Sequence, residues 1–115
     1  MEEELVRILF ERALKITTAE SCTGGLIAAT LVNVPGVSDV FETGYITYSE
    51  ETKMRILGVK RETLEKYTVY SEEVAREMAE GAAKTAGADV ALSVTGIAGP
   101  DGGTPDFPVG LCYIG

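Results

Sequence analysis

Ser21 and Cys22 set two nucleophile-type side chains next to each other in the stretch Thr17-Thr18-Ala19-Glu20-Ser21-Cys22-Thr23-Gly24-Gly25. A hydroxyl or thiol attacks well only when a neighbouring group takes its proton. The stretch leaves a β-type run, Lys15 to Ala19, and enters an apolar helical run, Leu26 to Val32. Gly24 and Gly25 would let backbone approach a ligand, and the free amides of a helix start favour an anion such as phosphate. A phosphate is therefore expected near the amides of Thr23 to Gly25. The plain alternative is an N-cap, with Ser21 or Thr23 satisfying first-turn amides. On this stretch alone both readings stand.

The chain has no histidine, which removes every mechanism with a His base inside one chain. Lysine is the best-known substitute, provided burial or a positive neighbour lowers its pKa. Lys53 follows the second extended run near the start of a helix, so it can share a sheet edge with Ser21. The dipole there disfavours its charge. An exposed helix lysine is the ordinary alternative. Tyr48 ends the same run and can relay a proton, or simply pack half-buried. Thr95, Gly96 and Gly99 can donate to an oxyanion or a phosphate, or belong to a flexible surface loop. Cys22 as nucleophile, with Glu20 or Lys53 as base, is a competing chemistry. Standard serine-elbow, P-loop and dinucleotide motifs are missing.

These residues need elements to position them. Glu2 to Leu14 has apolar residues at helical spacing behind three leading glutamates. Asn33-Val34-Pro35-Gly36 stops the helix that begins near Gly24, and Val37 to Tyr48 reads as extended. Ser49 caps a short helix that Gly58 closes, and Lys60 to Tyr67 is another helical piece. Ser71 caps a longer helix with an alanine-rich stripe, ended by Gly87. Val90 to Val94 is a buried strand, followed by a Gly/Pro-rich loop over Thr95 to Pro108 and a last strand, Val109 to Gly115. Strands separated by helices predict an α/β fold: a three-layer α/β/α sandwich around a central mixed, mostly parallel sheet. Ligands bind such sheets outside the carboxyl ends of the strands. The loops at Ser21, at Tyr48 to Lys53 and at Thr95 all leave such ends.

Composition narrows the function classes. At 115 residues the chain is one domain, and 45% hydrophobic with 24% charged residues is ordinary for a globular protein. A formal charge of −8 argues against a nucleic-acid surface, which needs clustered Lys and Arg. No apolar run approaches the ~20 residues of a membrane span, and Met1-Glu2-Glu3-Glu4 is the opposite of a basic signal-peptide head. Cys22 and Cys112 make no disulfide framework, so a reducing, cytoplasmic setting is expected. Without His, a zinc site would lack its usual ligands. Neither a metal nor a cofactor is expected.

Three motifs carry a resemblance: Thr18-Ala19-Glu20-Ser21-Cys22-Thr23-Gly24-Gly25; Gly44-Tyr45-Ile46-Thr47-Tyr48-Ser49 with Lys53; and Ser93-Val94-Thr95-Gly96-Ile97-Ala98-Gly99-Pro100-Asp101-Gly102-Gly103. From about Leu5 onward the chain resembles the CinA C-terminal-domain family, the nicotinamide-nucleotide amidohydrolases. That resemblance implies hydrolysis of the carboxamide of nicotinamide mononucleotide to nicotinate mononucleotide and ammonia. It implies Ser21 as nucleophile and Lys53 as base, assisted by Tyr48 and Thr95. Substrate contacts are then expected from Glu20, Cys22, Thr23, Gly24, Gly25, Tyr45, Gly96 and Gly99. The Lys53 amine should lie within hydrogen-bond reach of the Ser21 hydroxyl, with the Tyr48 ring nearby. Family domains continue past the last strand, so the chain is read as truncated there, short of a segment expected to carry a substrate-facing arginine. The expected partner is a small nucleotide substrate, with no nucleic acid and no membrane, in a homo-oligomer. A non-catalytic nucleotide-binding module of the same fold is the competing function.

Overall fold

The computed structural model describes Met1 to Gly115. Helix α1 (Glu2–Glu11) precedes the central strand β1 (Ile16–Glu20), and α2 (Leu26–Val32) leads to the edge strand β2 (Phe41–Ile46). Helices α3 (Glu50–Leu57), α4 (Arg61–Tyr67) and α5 (Glu72–Ala86) then carry the chain to β3 (Val90–Gly96) and β4 (Cys112–Ile114). The sheet order is β2-β1-β3-β4, with β1 parallel to both neighbours and β4 antiparallel to β3. That is the mixed, mostly parallel sheet the sequence predicts.

The two-sided layering follows from handedness. The step from β1 to β2 moves one way along the sheet, and the step from β2 to β3 moves back across β1. Right-handed crossovers in opposite directions place their helices on opposite faces. Accordingly Val6, Leu9, Ile16, Leu31, Val34 and Val40 form one core with α1 and α2. On the other face Ala19, Leu57, Val59, Leu64, Val74, Met78 and Ala82 form the second. Every residue of β1 is buried, as a strand covered on both faces must be. Full burial of a side chain such as Val74 or Met78 stabilises by roughly 1.5–3 kcal/mol.

Local chemistry sets most boundaries. Ser49 caps α3 in a reciprocal box with Thr52, and Gly58 ends it at φ 72°. The Ser71 hydroxyl accepts from the Val74 amide at 3.2 Å, and Gly87 closes α5 at φ 65°. Three expected elements are shorter than their sequence runs. The first helix stops at Glu11, because Ala13 takes φ 55° and turns the chain toward β1. Val37–Asp39 is a 3-10 turn, which leaves only Phe41–Ile46 of that run as strand. Of the last run only Cys112–Ile114 is strand, because Val109 and Gly110 are held in a turn whose Gly110 amide bonds the Ile97 carbonyl at 2.8 Å.

A register shift between Ile16 and Thr18 matters for the site. There β2 carries one residue more than β1, and the Thr17 hydroxyl takes up the Thr43 carbonyl at 2.8 Å. Pairing then resumes, and the Thr47 amide bonds the Glu20 carbonyl at 2.9 Å. The ends of β1 and β2 are thereby level. No helix of the structure is long and apolar enough to cross a membrane.

Helix α5 crosses the end of α3 so closely that a Cβ added at Gly81 would overlap the Leu57 carbonyl. Alanine is the better helix former by about 1 kcal/mol, yet here the backbone of α3 has to move. Gly81→Ala is therefore expected to destabilise by roughly 1–3 kcal/mol in urea unfolding, against the sign that propensity alone gives.

Candidate active site

The carboxyl ends of β1, β2 and β3 open onto a cleft of about 360 Å³. Ser21 and Cys22 enter it from the β1 end, Tyr48 and Lys53 from β2 and α3, and Gly96 to Gly99 from β3. Lys53 sits one turn into α3, its amide bonded to the Ser49 carbonyl at 3.1 Å. Helical side chains lean toward the N-terminus. The Lys53 stem therefore runs back to the sheet edge, where the amine donates to the Thr47 carbonyl at 2.7 Å.

The same amine lies 2.9 Å from Ser21 Oγ. Lys53 is 1% exposed, and none of the chain's ion pairs involves it. Burial lowers its pKa from 10.5 to about 8, while the charges of Glu50 and Cys22 pull the other way. When the amine is neutral, two N–H bonds and one lone pair serve its two contacts: it donates to Thr47 and accepts the Ser21 proton. That is the geometry of a nucleophile held against its base.

Glu20 behaves differently from what its place in the motif suggests. It is fully buried, and its carboxylate turns away from the cleft into the start of α2. Oε1 accepts from Thr23 Oγ1 at 2.7 Å, the Gly25 amide at 3.2 Å and the Ile27 amide at 2.9 Å. Oε2 accepts from the Ala28 amide at 2.9 Å. The expected phosphate cradle at Thr23 to Gly25 is corrected accordingly, because the Gly25 amide and those of the first turn already donate to an internal carboxylate, and the Gly24 amide to the Ser21 carbonyl. The N-cap alternative is corrected as well: the cap is Glu20 rather than Ser21 or Thr23. The side chains of Glu20 and Thr23, with Gly24 and Gly25, stand behind the cleft wall and shape it. None of them lines it.

Other expected residues divide. Tyr48 lines the cleft and is 66% exposed at its mouth. Gly96 and Gly99 line it too, and at Gly96 an added Cβ would press on Cys112. Thr95 is corrected: its buried hydroxyl donates to the Val69 carbonyl at 3.1 Å, so it ties down a wall segment instead of facing a reacting group. Tyr45 packs against the core on the α5 side of the sheet. Cys22 borders the cleft, but burial raises its thiol pKa above 9.0, and the Cys112 thiol raises it further. Its own amide, Lys53 and the Thr23 amide oppose the rise. Of the adjacent pair, it is Ser21 that contacts the buried amine.

Sequence reasoning missed Glu50, Val69, Tyr70 and Asp101, which also line the cleft. Topology holds a signal for two of them. Because α5 feeds the start of β3, its own beginning must lie at the carboxyl edge, which brings Val69 and Tyr70 to the site. Asp101 lies in the loop already singled out, and Glu50 in the first turn of α3.

Comparison with known proteins gives a single answer. The family model described as "CinA C-terminal domain" matches residues 1–115. A putative competence-damage inducible protein of Clostridium botulinum (strain ATCC 19397 / Type A) is 61% identical over the whole chain, which covers 28% of that relative. A CinA-like protein of Kosmotoga olearia is 60% identical with the same coverage. The chain thus spans under a third of the length of these relatives. Among solved structures, the competence damage-inducible protein A of Klebsiella pneumoniae superposes with a TM-score of 0.93 at 41% identity, over 98% of this chain and 70% of that one. A CinA superfamily protein from Escherichia coli gives a TM-score of 0.90 at 37% identity, over 99% and 72%. By sequence and by fold, the chain belongs to the CinA C-terminal domain family.

Proposed function

We propose that this domain is an amidohydrolase acting through Ser21 and Lys53, and that its substrate is the carboxamide of nicotinamide mononucleotide. The observation that carries the reaction class is the buried Lys53 amine 2.9 Å from Ser21 Oγ, in a chain without histidine. Ser21 Oγ bonds to the carboxamide carbon while its proton passes to the neutral Lys53 amine. The oxyanion falls to the amides of Cys22 and Thr23, from which no oxygen of the chain accepts and which face only the Cys22 thiol. As the C–N bond breaks, the Lys53 ammonium returns the proton to the leaving nitrogen and ammonia departs. Water then attacks the Ser21 ester with Lys53 again as base, and nicotinate mononucleotide leaves. The substrate is the one the family resemblance implies. A flat pyridinium cation suits a cleft bordered by the Tyr48 and Tyr70 rings and the Glu50 and Asp101 carboxylates.

The defining test is ammonia release from nicotinamide mononucleotide. Ser21→Ala should abolish release while substrate still binds, and Cys22→Ala should retain most of it. The reverse pattern would transfer the nucleophile to the thiol.

A pH profile of kcat/KM should rise tenfold per unit below a midpoint near 8 and then level, because only neutral Lys53 takes the proton. Lys53→Met should lower kcat by about 10²–10⁴-fold and erase that limb. A flat profile through this range in the unaltered protein would remove Lys53 as base.

The same lysine costs stability, and the sign is fixed by its lowered pKa. Below pH 8 folded and unfolded chains both carry the charge, and the folded one bears the full desolvation penalty. Between pH 8 and 10.5 the folded chain sheds the proton while the unfolded chain keeps it, so stability rises with pH across that window. The full difference is about 3 kcal/mol. Relative to Lys53→Met, the unaltered protein should therefore gain stability from pH 7 to pH 10 in denaturant titrations. A constant difference between the two would show that no burial penalty exists.

A further inference from the structure

Glu20 is the only carboxylate among the chain's buried residues, and the chemistry above gives it no proton to move. Its four contacts at 2.7–3.2 Å are all with the segment that follows the nucleophile. Between Ser21 and α2 the backbone is pinned at intervals. The Ser21 amide bonds the Val94 carbonyl at 3.0 Å, and the Gly24 amide bonds the Ser21 carbonyl at 3.0 Å. Glu20 holds Thr23 by its hydroxyl and Gly25 by its amide. The only amides in this stretch from which no oxygen of the chain accepts are those of Cys22 and Thr23, directly after the nucleophile.

We infer that Glu20 is a positioning residue: by closing the start of α2 it fixes the Ser21–Thr23 backbone so that the Cys22 and Thr23 amides remain aimed at the oxyanion. The inference rests on Ser21 being the nucleophile proposed above. Three features support it. No cation neutralises Glu20, so its charge is held by amides, a hydroxyl and the helix dipole alone. Glutamine cannot replace it quietly, because its NH₂ would point at an amide or hydroxyl donor where a carboxylate oxygen now accepts. Loss of the clamp frees α2's amides, and with them the turn that carries Ser21.

The test uses a probe that does not depend on the substrate assignment, a fluorophosphonate reacting with Ser21 and followed by mass spectrometry. The Ser21 Oγ–P bond forms as P–F breaks, fluoride leaves with the electron pair, and the serine proton goes to Lys53. The phosphoryl oxygen occupies the place of the oxyanion. Glu20→Ala and Glu20→Gln should label roughly 10- to 100-fold more slowly while circular dichroism shows the native fold. Excess formate should restore most of the rate in Glu20→Ala, because a small carboxylate can occupy the vacated space, but not in Glu20→Gln. An unchanged labelling rate in folded Glu20→Ala, or a loss that formate leaves in place, would overturn the inference. Should Glu20→Ala not fold, Glu20→Gln decides: slow labelling with the Lys53 pH midpoint unmoved supports the role, and an unchanged rate or a shifted midpoint refutes it. Failure of the unaltered protein to label at Ser21 would overturn this inference together with the serine mechanism. Labelling without ammonia release from nicotinamide mononucleotide would remove only the substrate.

Discussion

The site depends on a lysine amine kept out of water without a carboxylate to pair with it. A buried Lys–Asp pair would hold the charge and spoil the base. Here Lys53 is offered a carbonyl from Thr47 and a hydroxyl from Ser21, which satisfy its hydrogen bonds while doing little to retain its proton. The rest of the fold arranges this. The register shift in β2 levels Thr47 with the end of β1, and the Ser49 cap starts α3 at the distance from which a lysine stem reaches back. Glu50 tempers the effect, since its charge pulls the Lys53 pKa upward against burial. The outcome, near 8, lies close to the range in which a base is both deprotonated and strong enough to be useful.

How much of this was legible in the sequence divides along physical lines. Helix caps are local, so Ser49, Gly58, Ser71 and Gly87 marked their boundaries correctly. The strand pattern fixed the fold class, because β-branched runs separated by helices admit few topologies. Juxtaposition of Ser21 and Lys53 was an expectation from shared sheet edges, and the structure places them in contact. What failed depended on where side chains turn at strand ends. A glutamate beside a nucleophile reads as site chemistry, and only the packing of α2 on β1 reveals that it faces the helix start. Thr95 failed likewise, because the Val69 carbonyl that it serves belongs to a segment 26 residues away. The tail of the last run failed for another reason: apolar content spoke for a strand, while a turn at Gly110 decided the backbone.

The internal cap also changes how an anionic substrate must be recognised. A free helix start would attract phosphate, but here a carboxylate holds it, and Lys53 is the only basic residue on the cleft lining. Glu50 and Asp101 stand on the same lining, in a chain of net charge −8. On the proposed substrate, a nicotinamide nucleotide, these groups would favour the pyridinium end and repel the phosphate. If the substrate is the one proposed, the ring and its carboxamide would enter toward Ser21, with the phosphate pointing outward past the Tyr48 mouth. This orientation would agree with the proposed chemistry, in which the carboxamide C–N bond attached to the ring breaks. It also protects the base. A phosphate drawn in beside Lys53 would raise its pKa and hold the proton that Ser21 must give up. The cleft carboxylates would thus select the cationic end of the proposed substrate, while burial, against the pull of Glu50, is what lowers the Lys53 pKa.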